Sequence, residues 1–163
     1  MPALRRARSN LGGTVDLQQL VQQAMVDMSV LGSHRGIEFE LAVSGVPEIL
    51  GDPDDLRLLL DNLLGNALKF SPPNSVVEVS IDQQGSQVTL LVRDYGPGIA
   101  PELRERILLP FVRVDATVEG AGLGLAIAME VAQNHRANLS FEDPSDRSGL
   151  VVRVVFAAQM STS

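Results

Sequence analysis

The stretch Asp52-Pro53-Asp54-Asp55, followed by Leu56, Leu59, Leu60, Leu63, Leu64, Ala67 and Leu68, constrains the fold more than any other part of this chain. It offers a capping carboxylate, a proline at the first helical position and acidic groups on the positive end of a helix dipole. Apolar residues then follow at i, i+3, i+4, i+7, i+8, i+11 and i+12, until Pro72-Pro73 stop the pattern. The spacing predicts one helix from Asp52 to about Phe70 whose broad apolar face must be buried against a second layer.

The rest of the chain can supply that layer. Helical spacing runs from Asp16 to Gly32 and again from about Leu123 to Asn134, with a shorter pattern around Glu102 to Leu109. Alternating or apolar runs at Ile37 to Val43, Val76 to Ile81, Val88 to Asp94, Asn138 to Glu142 and Gly149 to Phe156 predict strands, the middle two joined as a hairpin around Gln84-Gly85-Ser86. Interspersed helices and consecutive strand pairs predict an α/β chain, a two-layer α/β sandwich. Its mixed, mostly antiparallel sheet of about five strands is covered on one face by about three helices. Residues 1–14, Arg-rich and then polar, read as a lead-in, residues 15–158 as a single domain and 159–163 as a tail. The connection between Gly96 and Gly124 is long for a compact domain, which marks it as functional or mobile.

Composition narrows the function. The 163 residues carry a formal charge of −7, which leaves no basic excess for a nucleic-acid backbone. The absence of cysteine removes disulfide scaffolds, thiolate metal sites and cysteine nucleophiles. No run approaches the roughly 18 to 20 apolar residues that span a bilayer, so a cytoplasmic piece without direct membrane contact is expected. His34 and His135 are far apart in sequence and read as structural or surface residues.

Three elements carry chemistry. At about 100° per residue, Asn62, Asn66 and Lys69 fall on one narrow ridge beside the leucine stripe. One reading is a solvated helix face. The other uses amide oxygens for a hard cation and the ammonium for an associated phosphate. Lys69 is the only lysine among 13 basic residues. Asp94-Tyr95-Gly96-Pro97-Gly98-Ile99 follows a strand; it is either an ordinary Asp/Gly turn or a carboxylate placed to accept from an exocyclic amine such as that of adenine. Gly120-Ala121-Gly122-Leu123-Gly124-Leu125 opens a helix, whose free N–H groups suit a phosphate, but it is neither a P-loop nor G-x-G-x-x-G.

In this order the elements resemble the catalytic, ATP-binding domain of bacterial sensor histidine kinases. These belong to the wider class that includes gyrase, mismatch-repair and heat-shock chaperone ATPases, with their Bergerat-type fold. Asn62 to Pro72 is similar to the asparagine box, Asp94 to Gly98 to the first glycine box, Pro110-Phe111-Val112-Arg113 to the phenylalanine box and Gly120 to Leu125 to the second glycine box. The resemblance implies ATP and Mg2+ as cofactors. Asn66 would hold the ion with Asn62 beside it, Lys69 would contact a phosphate and Asp94 would bind the adenine amino group. Gly96, Gly98 and Ile99 would shape the pocket, and Gly120, Gly122, Leu123 and Gly124 would form the phosphate-facing hinge of a lid from about Ile99 to Ala121. Asn62, Lys69 and Arg113 would serve catalysis.

In relatives that hydrolyse ATP with water, a glutamate stands where this chain has Asn62; an amide is no general base, which favours transfer to a strong nucleophile. The chain departs from the pattern at Val112, where an aromatic is usual, at Arg136-Ala137, where Gly-Gly often follows the histidine, and in a lid with few charges. Neither histidine stands in a phosphoacceptor context. The implied acceptor is a histidine on a separate dimerisation domain, whose hairpin could end within residues 4–13, with onward transfer to a response regulator by the cytoplasmic portion of an inner-membrane kinase. The isolated chain is expected to be a monomer. A nucleotide-sensing module without transfer and a serine kinase of the anti-sigma type remain alternatives.

Overall fold

The computed structural model describes residues 13–107, 121–144 and 149–157. The leucine-striped segment forms a helix over Pro53–Phe70 (α2), with Asp52 as its N-cap, accepting from the Asp54 amide, and Pro53 in its first turn. Leu56, Leu59, Leu60, Leu63, Leu64, Ala67 and Leu68 are all buried, as the spacing predicts. A preceding helix, Leu17–Ser33 (α1), is capped by Asp16, which accepts from the Gln19 amide. Two further helices are Pro101–Ile107 (α3) and Ala121–Asn134 (α4). Helix α4 begins two residues before the predicted start and packs against α2, which also packs against α1.

Five strands form the main sheet: Glu38–Ser44 (β2), Val76–Gln84 (β4), Gln87–Asp94 (β5), Asn138–Glu142 (β6) and Leu150–Ala157 (β7), in the order β2-β4-β5-β7-β6. Only β2 and β4 pair in parallel, and α2 lies in the crossover that a parallel pair requires. The other pairs are antiparallel, with Val79 opposite Val92 and Leu90 opposite Val154 on the buried face. The opposite face carries Glu78, Ser80, Arg93 and Arg153, none of them fully buried, so the helices cover one side. The predicted sandwich is thus the observed one, with four helices among the described residues rather than about three because the short 102–109 pattern becomes α3.

A second, two-stranded sheet was not predicted: Thr14–Asp16 (β1) pairs antiparallel with Glu48–Leu50 (β3). Thr14 therefore belongs to a strand rather than to the lead-in. Val15 and Ile49 are buried under this ribbon, and the Gly51 amide donates to the Gly13 carbonyl at 2.9 Å, so the ribbon fixes where α2 begins. The other end of α2 is held by Arg35, whose guanidinium donates to the carbonyls of Leu68 and Ser71. No helix among the described residues is long and apolar enough to cross a membrane.

Helix α4 ends in an unusual way. The Ala137 amide donates back to the Ala132 carbonyl at 2.8 Å while Arg136 sits at φ +57°, the left-handed position that such a cap usually gives to glycine. Arg136→Gly is expected to raise the stability by about 1 kcal/mol, the left-handed strain being only partly offset by glycine's larger unfolded-state entropy. Denaturant midpoints of the two proteins check this.

Candidate nucleotide site

A cleft of about 540 Å3, its mouth included, opens between α2 and one end of the sheet. Val92 and Val152 form its floor, Ala67 and Phe70 of α2 one wall, Leu125 of α4 another, and Gly98 and Ile99 its rim. Among this mostly apolar lining stand two polar side chains, Asp94 and Asn66. The first is the last residue of β5, directly opposite Leu150 of β7.

Asp94 is 7% exposed, and its Oδ1 accepts from the Gly96 amide at 2.8 Å. Burial pushes the Asp94 carboxyl above its ordinary pKa; the Gly96 amide, the Arg93 charge and the Leu150 amide pull the other way without cancelling it. The turn after it is packed backbone to backbone. A Cβ on Gly96 would lie 2.2 Å from the Phe70 carbonyl oxygen, and one on Gly98 would lie 2.7 Å from that of Gly149. Gly149 stands at φ +135°, and a Cβ there would lie 2.2 Å from the Asp94 carbonyl oxygen. Gly98 and Ile99 line the cleft, whereas Gly96 sits behind it and keys the turn to the end of α2. Gly149, read from sequence only as a strand start, completes this lock; a glycine placed immediately before an apolar strand was the available signal.

The asparagines meet α4. The Asn62 Nδ2 donates to the Leu58 carbonyl at 2.8 Å, which leaves its Oδ1 facing α4. A Cβ on Gly124 would lie 3.1 Å from the Asn62 Oδ1 and 3.7 Å from the Asn66 Oδ1, so both oxygens face the backbone of α4 and a larger residue at 124 would crowd Asn62. Neutral amide oxygens suit a hard cation that takes its remaining ligands from phosphate and water, and of the two asparagines Asn66 lines the cleft. Lys69 is exposed in the last turn of α2 and does not line the cleft. Gly122 and Leu123 fall in the first turn of α4, while Gly120, Arg113 and the phenylalanine-box residues Phe111 and Val112 lie outside the described residues.

Residues 51–160 match the model of the histidine kinase-, DNA gyrase B- and HSP90-like ATPases. The chain belongs to this ATPase family. Within it, sequence and fold are those of a sensor histidine kinase catalytic domain. The chain is 37% identical over 125 residues to the sensor-like histidine kinase SenX3 of Mycobacterium tuberculosis, covering 74% of this chain and 30% of that protein. It superposes on the mycobacterial sensor histidine kinase MprB with a TM-score of 0.80 at 30% identity, over 92% of this chain and 99% of that one. Full-length ShkA, solved in complex with AMPPNP, gives a TM-score of 0.77 at 33% identity, over 91% of this chain and 32% of that one. The chain thus spans about 30% of the length of the curated relatives it matches.

The buried carboxyl has a measurable signature without any ligand. Native Asp94 keeps its proton to higher pH than the unfolded chain does, so between the two pKa values the native state binds more protons. The stability linked to this group is fully present at low pH and declines as pH rises through the raised value. Asp94→Asn keeps the shape and removes the titration, so its stability relative to wild type should grow as pH rises from about 4, the ordinary carboxylate value. Denaturant unfolding of both proteins across that range checks the sign.

Proposed function

We propose that the cleft binds Mg-ATP and presents its γ-phosphoryl group to a histidine on the dimerisation and phosphoacceptor domain of a sensor kinase, for onward transfer to a response regulator. The observation that carries this reading is the pairing, in one cleft, of the buried Asp94 carboxyl in an apolar slot with the Asn66 amide, beside which the Asn62 oxygen stands one turn earlier on α2. The slot fits a flat, apolar base whose one exocyclic amine donates to Asp94. ShkA, a protein of the same fold, was solved with an adenine nucleotide, which supports the assignment.

Asn66 and Asn62 would hold the magnesium ion, which when bound neutralises charge on the phosphates. Gly98 and Ile99 would border the base, while the N-terminal turn of α4, with Gly122, Leu123 and Gly124, and the preceding Gly120 would face the phosphates. Lys69 would reach a phosphate from the end of α2, and Arg113, outside the described residues, would serve catalysis by the family resemblance alone. Asn62 cannot take a proton from water, and a neutral imidazole needs no such help to attack phosphorus. The chain has two histidines: His135 is 8% exposed, with both ring nitrogens in hydrogen bonds, and His34 is the C-cap of α1. An acceptor elsewhere in the parent protein is consistent with both. We propose that the chain belongs to the cytoplasmic portion of such a kinase, a reading that its likeness to sensor proteins supports.

Calorimetry with ATP and ADP tests the site. Binding should be magnesium-dependent, Asp94→Asn should weaken it at least about tenfold by loss of a charge-assisted hydrogen bond, and Asn66→Ala should abolish the magnesium effect. A folded wild-type chain that binds neither nucleotide would overturn the reading. Acid-labile phosphate on an added phosphoacceptor domain would then separate histidine transfer from serine transfer or nucleotide sensing.

A further inference from the structure

We propose that His135 is a positioning residue for the metal-and-phosphate end of the cleft, acting by fixing the axial register of α4 against α2. The inference deepens the proposed function and rests on its assignment of Asn62, Asn66 and Gly124.

The imidazole sits at the far end of the helix pair from the site. Its Nε2 accepts from the Asp52 amide at 3.1 Å, and its Nδ1 lies 2.9 Å from the Val131 carbonyl oxygen. An amide can only donate and a carbonyl can only accept, so the ring is the Nδ1–H tautomer, donating to Val131 and accepting from Asp52. Asp52 is the N-cap of α2 and is 2% exposed. The bond therefore joins the residue that follows α4 to the N-cap of α2, and it satisfies a buried N–H that would otherwise be costly. The chain makes room for the ring with Gly51, where a Cβ would lie 2.6 Å from His135 Cδ2 and 2.9 Å from its Nε2.

The two helices run in opposite directions: Asp52 meets His135 at one end, and Asn62 meets Gly124 at the other. At about 1.5 Å per residue, the clamp and the approach of Gly124 to Asn62 are roughly 15 Å apart along both helices. Between them lie Leu56, Leu59 and Leu60 of α2 and Leu125, Ala128 and Ala132 of α4, all buried. Apolar contact of this kind is non-directional and fixes axial position weakly. A slip of one residue would displace Gly124 by about 1.5 Å, half the 3.1 Å that separates its Cβ position from the Asn62 oxygen. A directional bond at the clamp removes that freedom.

The test uses the full chain as wild type, His135→Leu, which keeps bulk but loses the acceptor, and His135→Gln, whose Oε1 can take the place of Nε2. Calorimetric affinity for ADP is measured in magnesium and in EDTA, and the ratio of the two is the readout. His135→Leu should shrink the magnesium gain about tenfold, as expected for a displacement of an ångström or so, with EDTA affinity, set at the Asp94 end, within about twofold. His135→Gln should restore most of the gain. In nucleotide-free protein, the backbone amide resonance of Gly124 should shift in His135→Leu and return in His135→Gln.

A lowered melting temperature with an unchanged magnesium gain and an unmoved Gly124 resonance would show a merely structural histidine and overturn the inference. A wild type with no magnesium gain would instead sink the assignment of the asparagines, and the inference as stated with it. The Gly124 resonance would then report only whether the helices slip. Gly51→Ala, which pushes the ring away from Asp52, gives the same comparison if His135→Leu does not fold.

Discussion

Burial of α2 is the constraint on which the rest of the structure depends. Each of its large apolar side chains gains about 1.5 to 3 kcal/mol on leaving water, and the six leucines of the stripe lie against the sheet, α1 and α4. With a period of 3.6 residues, committing this stripe to the core also commits Asn62 and Asn66 to the margin where core meets solvent. The polar groups of the cleft are thus placed by the leucines beside them. What burial leaves loose, directional bonds hold: the Gly51 amide and the Asp52 cap at one end of the helix, Arg35 on the Leu68 and Ser71 carbonyls at the other.

Asp94 gives the cleft its polarity at a cost. A carboxylate that is 7% exposed has lost most of its water, and the Gly96 amide at 2.8 Å restores one hydrogen bond only in part. The surrounding backbone explains why the group does not move outward. Phe70, Gly149 and Asp94 present carbonyl oxygens where Cβ atoms of Gly96, Gly98 and Gly149 would be, so the end of α2, the turn and the start of β7 interlock without side chains. A buried acceptor held this rigidly is complementary to a donor on a flat apolar partner and to little else.

Much of this was legible because it is local. The capping sequence, the leucine stripe, the Gln84-Gly85-Ser86 hairpin and the Asp94 turn announce themselves within windows of a few residues, and the structure contains each of them. The ribbon of β1 and β3 was not, because three-residue strands are too short to show a period and their pairing spans more than thirty positions. The parallel register of β2 with β4 is equally non-local. Gly149 and Phe70 reach the site from elements whose sequence speaks only of strand start and helix end. His135 is the clearest case: an imidazole at the end of a helix gives no sign of a partner eighty-three positions earlier, whereas the need for a small residue at Gly51 becomes visible only once the ring is beside it.

The two asparagines also bear on how the proposed chemistry would divide between this chain and its proposed partner. Asn62 uses its amide N–H on the Leu58 carbonyl, so what it shows to α4 is an oxygen with no useful basicity. Asn66 is the same chemical group one turn later. A site made of amide oxygens, backbone N–H groups and a distant ammonium can orient a phosphate chain and spread its charge, and at the asparagine ridge, among the described residues, neither Asn62 nor Asn66 can activate water. Phosphoryl transfer through such a site depends on a nucleophile that arrives already competent, and a neutral imidazole is one. On the proposed reading, an amide in place of a carboxylate at residue 62 would leave a bound nucleotide intact until such an imidazole docks.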